Sequence, residues 1–411
     1  MNANARELAA GFDIEKLTAE FYADPYPTYR ALREHEPVKL MPNGSYFLTR
    51  YDDLLTAYKN IKLFSSDKKK EFAPKYGASP LYEHHTTSLV FNDPPAHTRV
   101  RRLIMGALSP RAIAEMEPNL VALVDRLLDN LAAKGDVDLI EDFAAAIPIE
   151  VIGNLLAVPE EERAPLRGWS LAILGALEPV IGTDAFARGN HAVRDFLGYL
   201  KGLVERRRIG PGNPERDVLT RLIQGEDGGE GDGERLTEKE LLHNCIFLLN
   251  AGHETTTNLI GNGLVALAAH STQKKRLIEN PALIKTAVEE ILRFESSNQL
   301  GNRMTTERVE LGGVTMAAGT SVTLCIGAAN RDPSQFSDPE KLDIGRNPNR
   351  HLAFGSGPHQ CAGMALARLE GAIAISRFLA RFPSYALRGA PVRGGRARFR
   401  GFLSIPSVVA G

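Results

Sequence analysis

Apolar residues recur at helical spacing along most of this chain and alternate at strand spacing in only a few short stretches. Over 364–382, Leu366, Leu369, Ile373, Phe378 and Leu379 fall at positions that share a face, which predicts a buried helix. From 237 to about 269 the chain is apolar nearly throughout, and Thr237-Glu238-Lys239-Glu240 in front of it reads as a capping box. The same spacing predicts helices over 27–36, from Asn92-Asp93-Pro94-Pro95 onward, and over 111–133, 140–156, 160–175 and 191–208. Asn280-Pro281 opens one more, which runs through Ile284, Val288 and Ile291 to about Phe294. Strand signals are confined to 38–51, with a hairpin turn at Pro42-Asn43-Gly44, and to 309–314, 321–326 and 399–409. The pattern predicts a mostly α protein with a smaller β-rich lobe (α+β), one domain over 1–411, with about the first 20 residues loose.

Three stretches break the pattern. Residues 67–89 carry Lys68, Lys69, Lys70, Pro74, Gly77 and Pro80 with little periodicity. They are expected to form a long loop over a binding site, with the lysines as a solvated face. Residues 177–192, with Pro179, Gly182 and Gly189, are expected to be a mobile lid. Residues 225–234 are glycine-rich and acidic and are expected to be a flexible surface loop inside the one domain.

Composition narrows the function classes. The net charge of −1 gives no bulk attraction to nucleic acid or to a membrane. Cys245, Cys325 and Cys361 stand far apart, with neither a disulfide framework nor a zinc spacing, which suits a reducing cytoplasm. No apolar run is long enough to span a bilayer, and the N-terminus lacks a signal-peptide core, so the expected localisation is cytoplasmic with no membrane anchor.

Four groups of residues carry candidate chemistry. The first is 351–363, His-Leu-Ala-Phe-Gly-Ser-Gly-Pro-His-Gln-Cys-Ala-Gly, which places Cys361 just before a helix N-terminus. Free N–H groups and the dipole there favour a thiolate, able to act as nucleophile, redox sensor or metal ligand; a small buried cysteine is the plain alternative. The second is Ala251-Gly252-His253-Glu254-Thr255-Thr256-Thr257, poor helix chemistry inside a long buried helix. A hydroxyl bonding back to a carbonyl is the structural reading, and it is compatible with a functional one. The third is His97 and Arg101, four apart on one helix face, with Arg99 and Arg102 beside them. The fourth is Glu290 and Arg293, three apart, which alone would be a weak surface pair.

Phe354-Gly355-x-Gly357-x-His359-x-Cys361-x-Gly363 resembles, at every fixed position, the haem-binding loop of the cytochrome P450 family. The resemblance extends from about residue 24 to 402 and implies a P450 fold around a buried haem b (iron protoporphyrin IX) with Cys361 as axial thiolate on the iron. It implies that Phe354, Gly355, His359 and Gly363 shape the loop. His97, Arg101, Arg303 and His351 would contact the haem propionates, and Ala251 and Gly252 would let the flat macrocycle approach. Glu254-Thr255 resembles the family's acid–alcohol pair: Thr255 bonds bound oxygen and Glu254 relays protons, which argues against the peroxide-using branch. Glu290, Arg293 and Arg346 resemble the structural Glu-x-x-Arg core.

The implied activity is that of a soluble bacterial monooxygenase that uses O₂ to hydroxylate or dealkylate a small-to-medium organic substrate. Electrons would come from a ferredoxin and an NAD(P)H-dependent reductase, to which Arg99 and Arg102 could offer a docking patch. A monomer is implied, with no nucleic-acid partner. Trp169 is expected to pack. Ser296-Ser297-Asn298-Gln299 is expected either to make the pocket wall partly polar or to meet a polar group on the substrate, and Phe402 is expected to reach the pocket. The competing readings are a haem-thiolate sensor without turnover and a non-haem helical protein with a structural cysteine.

Overall fold

The computed structural model describes residues 2–214, 217–227 and 236–409. Its centre is the helix Glu238–Ala269, capped as expected: the Thr237 side chain accepts from the Glu240 N–H, and the Glu240 carboxylate accepts from the Thr237 N–H. Helices Ala146–Leu155, Leu166–Gly175, Thr183–Ile209, Ile284–Phe294 and Met364–Arg381 pack around it. Their apolar faces merge into one large core. Trp169 lies in that core, stacked on Phe196 at 4.8 Å. Pro110–Lys134 lies along the outer side of Met364–Arg381.

The β-rich lobe is small. One sheet has five strands in the order Val38–Leu40, Tyr46–Leu48, Ser321–Cys325, Leu300–Thr305, Phe64–Ser65, antiparallel except for the pair Tyr46–Leu48 and Ser321–Cys325. The Asn43-Gly44 turn joins its first two strands, with Gly44 at φ 81°. Val309–Leu311 and Val314–Met316 form a separate hairpin. Near the C-terminus, Phe402–Ser404 pairs with Val392–Arg393, and Pro406–Val408 joins Asp136–Asp138 and Ala386–Leu387.

Several expectations need correction. Residues 67–89 are not one loop but two short helices, Lys69–Tyr76 and Pro80–Thr87. The second starts on a recognisable signal, Ser79 accepting from the Tyr82 N–H with Pro80 in the first turn. Lys68 is not on a solvated face: it is 1% exposed and pairs with Glu71 at 2.7 Å, whereas Lys69 and Lys70 are exposed. The helix expected from 191 begins at Thr183, so only 176–182 remains as connection. Glycine at 189 does not break it; a Cβ there would meet Leu81 at 2.9 Å, so close packing against Pro80–Thr87 accounts for the residue. The N-terminal stretch is packed: Asn2–Ala10 is helical, and Ala9, Phe12 and Ile14 are buried. Of the acidic 225–234 stretch, 225–227 ends the helix Val218–Asp227, and the rest lies outside the described residues.

Candidate active site

A cavity of about 350 Å³ lies between the 353–363 loop and the long helix. The loop is shaped by its own backbone. Gly355 N–H donates to Leu352 O at 2.8 Å, and Cys361 N–H donates to Phe354 O at 2.9 Å. Gly355 and Gly357 sit at φ 64° and 68°. A Cβ on Gly357 would stand 2.4 Å from the Tyr58 carbonyl oxygen, so glycine is required there twice over. The loop presents Cys361 to the cavity as the one exposed cysteine among the described residues; Cys245 and Cys325 are buried. Burial pushes the Cys361 thiol up, while the Gly363 N–H, Arg101 and Arg368 pull it down. The helix-end effect expected from sequence is therefore present but outweighed in the free thiol, and a thiolate here calls for a cationic ligand on the sulfur.

The opposite wall comes from the long helix. Ala251, Gly252 and Thr255 line the cavity. Thr255 Oγ1 donates to Ala251 O at 2.7 Å, the back-bond that one reading of the threonine run anticipated. Gly252 has a packing role as well: a Cβ there would meet Ile152 Cδ1 at 2.5 Å. Glu254 points elsewhere. It is buried outside the cavity wall and bridges to Arg396 Nη1 at 2.5 and 2.6 Å, and Arg396 Nη2 donates to Leu171 O. Burial pushes the Glu254 carboxyl up to about 7, against the pull of Arg396.

Donors converge on the loop side. His97 and His359 face each other with ring centroids 3.9 Å apart. Both ring nitrogens of His97, Nε2 of His359 and Nε of Arg303 are buried without partners. Arg303 lies over the Tyr58 ring, and Arg101 donates to Gln360 O at 2.7 Å. Burial and neighbouring cations hold His97 down at about 4 and His359 at about 2. A neutral imidazole offers one N–H, and such buried unpartnered groups beside two arginines fit an acidic, oxygen-rich group, so these residues would suit haem propionates. Phe354, Gly355 and Gly363 also line the cavity.

His351 does not join them. Its Nε2 faces Glu289 Oε2 at 3.1 Å, its Nδ1 accepts from the Ala353 N–H, and it is absent from the cavity wall. Arg368 holds the other side of Glu289, so the histidine is engaged by a structural network. Arg99 is likewise taken, paired with Glu240 at the start of the long helix and partly buried, whereas Arg102 is exposed. Phe402 packs under Arg393; Phe399, three residues earlier, reaches the cavity instead. Of the polar stretch, Ser297 and Asn298 line the cavity while Ser296 and Gln299 turn into the scaffold, where Gln299 Nε2 donates to Ser296 O.

The Glu-x-x-Arg pair is buried, not exposed. Arg293 meets Glu290 through two hydrogen bonds of 2.8 Å, both side chains being 0% exposed. Arg293 also donates to Asn330 O, Pro339 O and Lys341 O. Arg346 Nε, Asn349 Nδ2 and the Asp343 N–H also donate to Glu290. Sequence reasoning missed Arg396, Glu370, His84, His85 and Asn250. Glu370, one helical turn beyond Leu366 in the wall, is an acid whose burial pushes it up to about 8. A charged residue in an otherwise apolar helix face was the available signal for it.

The family model for cytochrome P450 matches residues 174–389. A biotin biosynthesis cytochrome P450 of Bacillus subtilis is 36% identical over 92% of this chain and 96% of its own length. A vitamin D(3) 25-hydroxylase of Pseudonocardia autotrophica is 40% identical over 90% of this chain and 89% of its own. Among solved structures, P450BioI in complex with an acyl carrier protein bearing hexadec-9Z-enoic acid superposes with a TM-score of 0.88. It is 36% identical and covers 95% of this chain and 100% of that one.

Proposed function

The chain belongs to the cytochrome P450 family and is a monooxygenase of small-to-medium organic molecules, and from that premise we propose that Cys361 would supply the thiolate that holds the iron of a haem b in the cavity between its loop and the helix Glu238–Ala269. When bound, the haem supplies activation of O₂ and insertion of one oxygen atom into a C–H bond, or an equivalent dealkylation. The chain's own residues hold, orient and deliver protons. His97, Arg101, Arg303 and His359 would hold the propionates, which would give their unpartnered N–H groups acceptors. Leu89, Phe91, Leu174, Leu177, Phe247 and Phe399 enclose the substrate and keep bulk water out. Thr255 turns its hydroxyl from Ala251 O toward the cavity as donor. Glu254, at about 7 near its midpoint at neutral pH, exchanges protons between the Arg396 side and Thr255.

Electrons reach the site from outside, from a ferredoxin and its NAD(P)H-dependent reductase. Among the described residues no helix is long and apolar enough to cross a membrane; that the protein is a monomer of the cytoplasm rests on the family resemblance. The observation that carries the reading is the convergence of the Cys361 sulfur and the unpartnered His97, His359 and Arg303 nitrogens on one cavity.

Thr255→Ala tests it. With a surrogate ferredoxin, its reductase and a ligand that shifts the haem spin state, the variant keeps ligand affinity. Product per NAD(P)H falls about tenfold or more, and hydrogen peroxide rises to match. Unchanged product per NAD(P)H removes Thr255 from the proton path.

A further inference from the structure

The cavity wall carries a polar cluster that the monooxygenase chemistry leaves unused. It sits where the short helix Pro80–Thr87 meets the long helix. His84 Nε2 lies 3.5 Å from Asn250 Nδ2, and the His84 and His85 rings are 5.1 Å apart. All three residues line the cavity and are at most 3% exposed. Asn250 Oδ1 and His85 Nε2 have no partner. Turning the amide over would exchange which Asn250 atom is unmatched without supplying a partner. A buried unsatisfied polar atom is costly, and a ligand that satisfies it recovers that cost.

The sign of the ligand follows from the other cavity residues. For an anion, the candidate away from the propionate side is Arg398, and its Nε, Nη1 and Nη2 donate to Leu177 O, Leu300 O and Asn302 Oδ1, which commits three of its five N–H groups. Burial holds His85 down at about 3 and His243, packed on His84, at about 4, so the cluster stays neutral at working pH. For a cation, the wall offers one carboxyl among the described residues, Glu370, which burial pushes up to about 8 and so disfavours as an anion. The rest of the wall is mainly apolar, with Ser88, Thr255, Thr256, Ser297, Asn298 and Asn302 as polar members, of which Ser297 Oγ and Asn298 Oδ1 are also unpartnered.

Resting on the monooxygenase reading, we propose that the substrate is an uncharged, apolar molecule bearing a hydroxyl group that donates to Asn250 Oδ1 and accepts from His85 Nε2–H. This anchor fixes which carbon faces the site of oxidation. The selection is one of chemistry more than size: an acid of the same skeleton must bring a charge to a wall whose guanidinium, Arg398, already donates to three protein acceptors.

Spin-state titration of the purified holoenzyme with dodecan-1-ol, dodecane, dodecanoic acid and testosterone tests this. The expected result is a saturable shift with testosterone or dodecan-1-ol, about tenfold tighter than with dodecane or dodecanoic acid. Asn250→Leu and His85→Phe each weaken the oxygenated probe about tenfold while dodecane binding and iron ligation by imidazole stay unchanged. Tighter binding of dodecanoic acid, no shift with either oxygenated probe, or variants that bind them as the parent does, overturns the proposal. The CO complex of the same preparation separates the two readings: a thiolate-type band with the wrong ligand preference sinks the anchor alone, and a band of another type sinks the monooxygenase reading.

Discussion

Glu254 shows what single residues contribute here and how much of that is written locally. Next to Thr255 in sequence, it nonetheless leaves the cavity wall and lies buried against Arg396, 142 positions away. Its carboxyl is raised to about 7, so it is mostly protonated below that pH and mostly ionised above it. A group that donates protons in this state predicts coupled turnover that falls as pH rises through about 7. Glu254→Gln should flatten that limb and slow turnover on the order of 100-fold; a pH profile of product formation that keeps the same limb in the variant removes Glu254 from the relay. Gly252 and the threonine run stood out in the sequence because they are poor helix chemistry, and the pairing of Glu254 with Thr255 came from the family resemblance. Arg396 was not legible, because no local pattern connects a C-terminal loop arginine to a helix interior. His351 misled for the opposite reason: it heads the right loop, but Glu289 and the Ala353 N–H claim both its nitrogens.

At the scale of elements, the long periodic helices were readable and the two helices within 67–89 were not. Lys69–Tyr76 and Pro80–Thr87 have eight residues each, too few for periodicity to register, and Pro74 lies inside the first. Tertiary bonds hold this region: Tyr76 Oη donates to Ala176 O at 2.7 Å, and Lys75 Nζ donates to Glu178 O at 2.6 Å. Sequence pattern also undervalued Glu290 and Arg293, since spacing alone does not reveal burial. Arg293 ties Ile284–Phe294 to three carbonyls of the irregular 330–341 segment, so it acts as a bolt between elements. Arg293→Leu leaves Glu290 charged, buried and short of its main partner, a loss of about 3–5 kcal/mol. That is a large share of the ~5–15 kcal/mol typical of a folded domain. Denaturant unfolding should show it as a lowered midpoint together with reduced haem content. Arg293→Lys should recover little, since one ammonium cannot replace the fork. A stable, haem-replete Arg293→Leu protein contradicts this role.

Over the whole molecule, a helical body and a small β-rich lobe close on one cavity, and each supplies what the other lacks. The long helix gives a wall broken by Ala251, Gly252 and Thr255. The lobe gives Arg303, from the strand Leu300–Thr305, and Tyr58 beneath it. The 353–363 loop stands between them and carries the sulfur. Its spectrum tests that arrangement most directly. The reduced, CO-bound protein is expected to show the long-wavelength Soret band of thiolate-ligated haem, and Cys361→Ala is expected to abolish it. A band at the shorter wavelength of histidine- or thiol-ligated haem, or a long-wavelength band that survives in Cys361→Ala, contradicts Cys361 as the ligand around which the molecule is built.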